Sequence, residues 1–196
     1  INKKNYKFST NLSGRHNLYN VAAAICVAIE ENISIKNIAK GLHDFQGVGR
    51  RFELSKINLA DQPHVLIDDY GHHPAEILST ILATKEKFPR KKICMIFEPH
   101  RFSRTQQLFD DFVKVLSKVD FLLLLDIYPA SEKPIKGISS QKLAFEIMKN
   151  HKNVHYLESQ DPIDWLQNNH RDFSILITQG AGTISKLNKK IKKKWQ

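Results

Sequence analysis

The chain has 196 residues, and its hydrophobic fraction of 41% and charged fraction of 26% are ordinary for a soluble globular protein with a buried core. No apolar run approaches the about 18 residues of a membrane-spanning helix, so we expect no membrane span. The formal net charge of +10 raises the question of nucleic-acid binding. No recognition motif accompanies that charge, and we interpret the lysine-rich C-terminus as the solvated end of a helix. Its lysines are Lys186, Lys189, Lys190, Lys192, Lys193 and Lys194.

The two cysteines and the N-terminus indicate the cellular setting. Cys26 and Cys94 both lie in apolar runs, and we expect buried thiols rather than a disulfide, as in a reducing cytoplasm. The sequence starts at Ile1 and shows no apolar signal-peptide region. We therefore expect a cytoplasmic protein, of which this chain is a fragment.

The first part of the chain is expected to be helical after a polar stretch at residues 1–13. Residues 21–29 are apolar almost throughout, which predicts a helix buried on most sides, or one that is exposed or repacked where a partner domain is missing. Residues 34–42 predict a second, short helix. The glycine-rich turn at 46–49 is the expected domain boundary, with a domain tail at 1–46 and a domain at 47–196.

From residue 50 onward, strand patterns alternate with helix patterns. Ser103 has the capping-box spacing of a helix N-cap, and Asp161-Pro162 is typical of a helix start. Repeated β–α units of this length predict an α/β fold, with a Rossmann-like, mainly parallel sheet and helices on both faces. The predicted strands are 52–59, 65–69, 93–97, 121–126, 154–157 and 173–178, and the predicted helices are 75–87, 105–116, 140–148, one after residue 161 and one at the C-terminus.

Polar clusters follow successive predicted strands. In open α/β sheets, ligands bind at the carboxyl ends of the strands, so these clusters predict a ligand cleft along one edge of the sheet. The clusters lie at 69–73, 98–101, 126–132 and 179–182.

Two of these clusters allow more than one chemical interpretation. The carboxylates and imidazoles at 68–73 could ligate a metal, but His72 and His73 are adjacent and can point apart, and we predict no metal ligand here. Arg101 and Arg104 suit a carboxylate or phosphate near a helix N-terminus, and the alternative is surface ion pairs with acidic residues 110 and 111.

The glycine turn at 179–182 is weak support for a phosphate site. It lacks the third glycine of the dinucleotide fingerprint and follows the last strand, so we expect a tight strand-to-helix turn. The chain contains no Gly-x-Ser-x-Gly elbow, which sets serine hydrolase chemistry aside, and no phosphate loop of the form Gly-x-x-x-x-Gly-Lys-[Ser/Thr].

Four segments carry a resemblance to a known family: GRHNLYN (14–20), FQGVGRRFE (45–53), DDYGHHPAE (68–76) and FEPHRFSRT (97–105). YPASEKPIKG (128–137) and QGAG (179–182) match more loosely. In this order, these segments resemble the bacterial Mur ligases, and most closely the members that add L-alanine. The resemblance implies that 1–46 is the tail of the central ATP-binding domain and that 47–196 is the C-terminal, amino-acid-binding domain. Glu98 stands where glutamine is usual in the family.

The resemblance also implies a reaction. Such ligases activate UDP-N-acetylmuramate with ATP as an acyl phosphate, which the amine of L-alanine attacks during peptidoglycan precursor synthesis in the cytoplasm. Mg²⁺ bridges the phosphates, and its ligands are expected mainly in the missing upstream part. Because the phosphate loop and the N-terminal and central domains are missing, we expect this fragment alone to be inactive.

Residues implied to bind ATP are found in three places. At a helix start, where asparagine is often only a cap, the family places the adenine end of the nucleotide. The family's aspartate that helps to hold ATP matches Asp69, whereas Asp68 is expected to be structural. Arg51, otherwise a basic linker residue, is implied to reach the ATP phosphates in a closed form and to be catalytic. The implied ATP residues are His16, Asn17, Asn20, Arg51 and Asp69.

The implied amino-acid site uses the third and fourth segments of the resemblance, 68–76 and 97–105. Tyr70, His72 and His100 lie beside the incoming L-alanine in the family, and His72 is also implied to be catalytic. Arg101 and Arg104 match binders of the alanine carboxylate. The Pro-His-Arg-x-x-Arg pattern favours alanine over the peptides that related ligases attach to UDP-N-acetylmuramate. Two further functions stay open on the residues alone, a non-catalytic nucleotide- or acidic-metabolite-binding domain and a nucleic-acid binder.

Overall fold

The computed structural model describes residues 5–12, 14–45, 47–158 and 160–196, without the side chain of His16. By its contacts the chain divides into two compact units, Ile1–Gly49 and Arg50–Gln196. The predicted boundary lay three residues earlier, at Gln46, which is outside the described residues.

The first unit contains α1 (Arg15–Glu30) and α2 (Ile35–Asp44). Ser34 is the N-cap of α2, and its side chain accepts a hydrogen bond from the backbone N–H of Asn37 at 3.3 Å. Ile38 is buried in this unit, as the amphipathic pattern of the helix requires. The two helices pack against each other, so they form a hairpin.

The prediction that α1 is buried on most sides is wrong for this chain. Leu18, Tyr19 and Val27 are more than half exposed, and Cys26 is an exposed free thiol. One neighbouring helix within the unit cannot cover a helix that is apolar all round, so its other faces stay open. This outcome matches the second expectation for this segment, an exposed helix. Cys94, by contrast, is fully buried as predicted, and burial raises the pKa of its thiol.

The second unit alternates strands and helices over its whole length. Its strands are β1 (Glu53–Leu59), β2 (Gln62–Asp69), β3 (Ile93–Phe97), β4 (Phe121–Leu124), β5 (Val154–Tyr156) and β6 (Ile175–Gln179). Its helices are α3 (Pro74–Lys87), α4 (Phe102–Gln107), α5 (Phe109–Leu116), α6 (Ser140–Met148), α7 (Pro162–Asn169) and α8 (Ile184–Trp195), with a 3₁₀ turn at His170–Asp172.

The six strands form one sheet in the order β1-β2-β6-β3-β4-β5. β1 pairs with β2 antiparallel, and every other pair is parallel. The predicted α/β fold with a mainly parallel sheet is therefore confirmed.

Two apolar cores lie on opposite faces of this sheet. Successive residues of β3 alternate between them, with Met95 and Phe97 in one core and Cys94 and Ile96 in the other. One core packs against α3, α5 and α6, and the other against α7 and α8. Because both faces are covered, the central strands are continuous apolar runs rather than alternating ones.

Two helix starts agree with the sequence-based predictions. Pro74 begins α3 after His73, whose ring accepts the backbone N–H of Ala75, and Pro162 begins α7 after Asp161. The carboxylate of Asp161 accepts the backbone N–H of Ile163 at 3.0 Å. Proline suits the first helical position because its missing N–H would have no partner there.

The predicted helix 105–116 is wrong in its start and in its continuity. The structure has two helices, α4 and α5, which meet at Leu108. Ser103 is not the N-cap but the second residue of α4, and its N–H and hydroxyl both donate to Glu132. A carboxylate 29 residues away therefore supplies the cap that local spacing assigned to Ser103.

Part of the lysine-rich end has a structural role. Lys190 forms an ion pair with Asp161 at the start of α7, and Lys192 pairs with Glu53 at 2.8 Å. These pairs link α8 to α7 and β1, although solvent-exposed pairs of this kind add little to stability. Within the described residues, no helix is both long and apolar enough to span a membrane.

Candidate functional site

The polar loops that follow β2, β6, β3 and β4 meet at one edge of the sheet, as predicted. Backbone bonds join them beyond the strand ends, from Gly180 N to Asp69 O at 3.1 Å and from Glu98 N to the carbonyl of Gln179 at 3.1 Å. This is the edge formed by the carboxyl ends of the parallel strands, where α/β sheets bind ligands.

Four aromatic rings form a continuous row at this edge. Tyr70 contacts His72, His72 contacts His100, and His100 stacks on Tyr128, with each pair of ring centroids 5.4 Å apart. The row is also fixed through the backbone, because Arg101 N donates to Tyr128 O at 2.8 Å. The structure therefore brings Tyr70, His72 and His100 together as the sequence predicted.

His72 lies just before α3, and one of its ring nitrogens already makes a hydrogen bond within the protein. Its Nδ1 lies 3.2 Å from Tyr70 O, which can only accept, so Nδ1 is the donor of this hydrogen bond. Its backbone N–H donates to the Glu76 carboxylate at 2.9 Å. This arrangement leaves Nε2 of His72 without a hydrogen-bond partner among the described residues.

Arg104 is oriented by His100. Its Nη1 donates to His100 O at 3.0 Å and to Nδ1 of the same residue at 3.2 Å. Both hydrogen bonds that Arg104 makes to described residues use Nη1. The edge of the guanidinium formed by Nε and Nη2 therefore has no hydrogen-bond partner among the described residues. That edge matches the two oxygens of a carboxylate.

The surroundings of His100 favour its neutral form. Partial burial is the main cause that lowers its pKa, and the nearby His72, Arg104 and Arg101 add to the effect, while Glu132 opposes it. A neutral ring can accept the Arg104 proton at Nδ1, whereas a protonated ring would repel the guanidinium. The bond from Arg104 to the His100 ring therefore requires a neutral imidazole, whereas the bond to His100 O does not.

This lowered pKa predicts a pH-dependent stability. Below the ordinary histidine value of 6.5 the unfolded chain binds more protons than the folded one, so the free energy of unfolding should fall as the pH drops through about 6.5. We expect a smaller fall between pH 7.5 and 5.5 in His100→Gln, measured by urea unfolding of both proteins. His155, whose pKa is also lowered by burial, contributes the same sign and persists in both. An equal fall in the two proteins would contradict the prediction.

Arg101 occupies a different environment from Arg104. It is exposed, and its Nη1 lies 3.9 Å from Glu132. The ion pairs with Asp110 or Asp111 that the sequence allowed are not what the structure shows. Glu132 also accepts the N–H and hydroxyl of Ser103, and these bonds lower its pKa. Since this carboxylate already occupies the first turn of α4, the guanidinium groups rather than the helix N–H groups remain for a ligand.

Asp69 makes only internal contacts among the described residues. Its Oδ1 accepts the N–H of Gly71 and the side-chain amide of Gln179, both at 2.8 Å, and its Oδ2 accepts the N–H of Phe52 at 2.9 Å. Direct binding of ATP by Asp69 stays a prediction. The contacts in the structure give this carboxylate a second task, which is to hold three segments of the edge together.

The glycine turn after β6 is a tight strand-to-helix connection, as expected. Gly180 has a φ of 146°, and a Cβ there would lie 2.8 Å from Glu98 O. The buried Glu98 carboxylate accepts the N–H of Ile184 at 3.0 Å and the hydroxyl of Thr183, so it caps α8. An internal carboxylate therefore fills the position that a bound phosphate takes at a helix N-terminus.

The predicted ATP residues fall into two groups. Asn17 and Asn20 lie on α1 of the first unit, with Asn20 Nδ2 3.5 Å from Asn17 Oδ1, and the side chain of His16 is outside the described residues. Arg51 lies in the second unit and is exposed. Among the described residues, no group of three or more His, Cys, Asp or Glu side chains is arranged to hold a metal ion.

Sequence reasoning assigned no individual role to four residues that shape this edge: Arg50, Glu98, Tyr128 and Glu132. Each acts through a partner far away in the chain, such as Arg50 with Asp68 or Glu132 with Ser103. The polar cluster at 126–132 and the looser match at 128–137 were the signals for Tyr128 and Glu132. Arg50 was passed over because the resemblance implied a role only for the adjacent Arg51.

Comparison with known proteins identifies relatives of this chain. Residues 50–182 match the family described as Mur ligase, glutamate ligase domain. The UDP-N-acetylmuramate–L-alanine ligase of Blochmanniella floridana is 45% identical over 195 residues, covering 95% of this chain and 40% of that protein. The ligase of the same name from Psychrobacter arcticus is 42% identical over 183 residues, covering 92% of this chain and 38% of that protein. The chain thus spans about two fifths of the length of these relatives.

Solved structures share the fold. The crystal structure of UDP-N-acetylmuramate–alanine ligase from Thermotoga maritima has a TM-score of 0.74 at 23% identity, covering 98% of this chain and 41% of that one. A murein peptide ligase from Psychrobacter arcticus has a TM-score of 0.63 at 20% identity, covering 95% and 38%. The resemblance inferred from the sequence is confirmed by the family match and the curated relatives. The chain belongs to the Mur ligase family, and its second unit contains the Mur ligase, glutamate ligase domain.

Proposed function

We propose that this chain is the C-terminal part of an ATP-dependent ligase that joins L-alanine to UDP-N-acetylmuramate in the cytoplasm, and that its second unit binds the alanine. The observation that carries the proposal is the open guanidinium edge of Arg104 beside the ring row of Tyr70, His72 and His100. The 45% identity to a ligase of this name supports the same substrate.

The chemistry of the edge suits a small zwitterion. The Nε and Nη2 groups of Arg104 bind the carboxylate in a bidentate manner, and Arg101 adds a second positive charge nearby. Nε2 of His72 accepts a proton from the alanine ammonium, which frees the lone pair that attacks the activated carboxyl group. The rings of Tyr70 and His100 fix the orientation of the amino acid.

Arg51 serves the other half of the reaction. Its exposed guanidinium binds the ATP phosphates in a closed form and stabilises the charge that develops during phosphoryl transfer. We assign the adenine end of ATP to the region of Asn17 and Asn20 on α1, which is the tail of the central ATP-binding domain in this proposal.

The described residues do not fit a complete magnesium site, because no group of three or more of their His, Cys, Asp or Glu side chains is arranged to hold a metal ion. We therefore assign the Mg²⁺ ligands mainly to the upstream domains of the whole protein, whose relatives are about two and a half times as long as this chain. When bound, Mg²⁺ neutralises charge on the phosphates. Residues 1–196 alone are expected to be inactive.

The test is phosphate release by the full-length gene product with ATP, UDP-N-acetylmuramate and one candidate amine at a time. We expect release with L-alanine, weaker release with glycine or L-serine, and none with a short peptide. The chain 1–196, assayed in parallel, should release none. Release with the peptide in place of L-alanine would favour a peptide-attaching ligase, and no release with any amine would leave a non-catalytic binding domain.

A further inference from the structure

Arg50 and Arg51 are adjacent in sequence but have opposite environments. The guanidinium of Arg50 donates from Nε to Asp68 at 3.2 Å and from Nη2 to Gly180 O at 2.7 Å, and it lies 5.3 Å from the centre of the Tyr70 ring. Arg51 is exposed, and its side chain makes no hydrogen bond or ion pair with the described residues. The side chain of Arg50 is therefore held by contacts within the second unit, whereas that of Arg51 is available to bind a ligand.

The backbone on both sides of Arg51 is left-handed. Arg50 has a φ of 59° and Phe52 a φ of 53°, a conformation that non-glycine residues adopt only when their surroundings impose it. Arg50 O accepts the N–H of Tyr70 at 2.7 Å, and Phe52 N donates to Asp69 at 2.9 Å. The residues before and after Arg51 are thus fixed by the two successive aspartates and the loop that follows them.

The Arg50–Asp68 pair is the charged part of this arrangement. Asp68 is 4% exposed, and its other oxygen accepts the hydroxyl of Thr178, which in turn accepts a hydrogen bond from Asn188. Arg50 is the cation that balances this buried carboxylate. Removing either partner leaves the other without a counter-charge, so the turn at 50–52 would relax.

We propose that Arg50 and Asp68 are positioning residues that hold the left-handed turn around Arg51 and so present its guanidinium to the ATP phosphates. The inference rests on the proposed function, in which Arg51 contacts ATP. Arg50 itself does not touch substrate, and its effect on phosphoryl transfer passes through Arg51. Its contact with the Tyr70 ring is a second link, to the amino-acid side of the site. Replacing Arg50 is therefore expected to lower the rate of phosphoryl transfer by a larger factor than it raises KM for L-alanine.

A double-mutant cycle in the full-length protein tests this inference. Arg50→Met removes the charge and keeps most of the stem, and we expect kcat for phosphate release to fall about 10-fold while KM for L-alanine rises less than about twofold. In an Arg51→Ala background, the same replacement should lower kcat less than twofold, because the group that it positions is already gone. Asp68→Asn, which keeps the shape of the side chain, repeats the cycle in case Arg50→Met fails to fold.

Each other outcome overturns the inference in a distinguishable way. An equal fall in kcat with and without Arg51 would mean that Arg50 only stabilises the fold. Full activity of Arg51→Ala would mean that Arg51 does not act on ATP, so Arg50 would have no catalytic group to position. A raised KM for L-alanine with unchanged kcat would assign Arg50 to the amino-acid side. No phosphate release by the unaltered protein would overturn the proposed function, and this inference with it.

Discussion

Replacing Arg104 with alanine is expected to raise the L-alanine concentration for half-maximal phosphate release about 100-fold, with little change in kcat. The guanidinium keeps Nε and Nη2 for the alanine carboxylate, since its bonds to described residues use Nη1. Loss of charge-assisted hydrogen bonds of this kind costs about 3 kcal/mol, and each 1.4 kcal/mol is a factor of ten. Because the carboxylate is bound equally in the ground and transition states, the loss is expected in KM.

The measurement is the initial rate of phosphate release by the full-length protein over a range of L-alanine concentrations. Arg171→Ala is a matched control, because Arg171 is an exposed arginine that precedes β6 and therefore lies at the opposite end of that strand from the site. It should leave both constants unchanged. If Arg104→Ala has the alanine dependence of the unaltered protein, the carboxylate is bound by another group.

The interior of the second unit could be predicted closely from the sequence. β3 at Ile93–Phe97 and α6 at Ser140–Met148 have the predicted bounds, because each is a compact pattern between clear breakers. Strand ends that depend on pairing were less exact: β4 ends at Leu124, two residues before its prediction. Local sequence determines which residues are buried, whereas the neighbouring strand determines where pairing stops.

Long-range polar contacts could not be predicted. Glu132 caps α4 through Ser103, and Glu98 caps α8, although neither pairing has a local signature. The same limit explains why Arg51 was singled out and Arg50 was not. Only the fold brings Asp68 and Gly180 to the Arg50 guanidinium.

The exposure of α1 shows a different limit. Its apolar sequence correctly predicted a helix, but burial requires a partner, and the first unit has only α2 to offer within the described residues. Cys26 is exposed for the same reason. A hydrophobic pattern thus predicts which residues of a segment can be buried, but burial occurs only where another part of the molecule covers them.

The glycine turn after β6 should tolerate substitution poorly, and Gly182→Ala is expected to lower the free energy of unfolding of the second unit by about 2–3 kcal/mol. A Cβ at Gly182 would lie 2.6 Å from Cγ of Tyr128 and would also meet the Glu98 carboxylate. Glu98 is buried and caps α8, so it cannot move aside without losing its hydrogen bonds to Thr183 and Ile184.

Urea unfolding followed by tryptophan fluorescence measures this effect in the second unit, since both tryptophans, Trp165 and Trp195, lie there. Gly41→Ala is the control, because a Cβ at Gly41 on α2 meets nothing within 4 Å. It should leave the tryptophan transition unchanged. Equal midpoints for the two variants would mean that Tyr128 and Glu98 can shift freely. A Tyr128 ring that shifted freely would not fix His100, and with it Arg104, at the edge of the sheet.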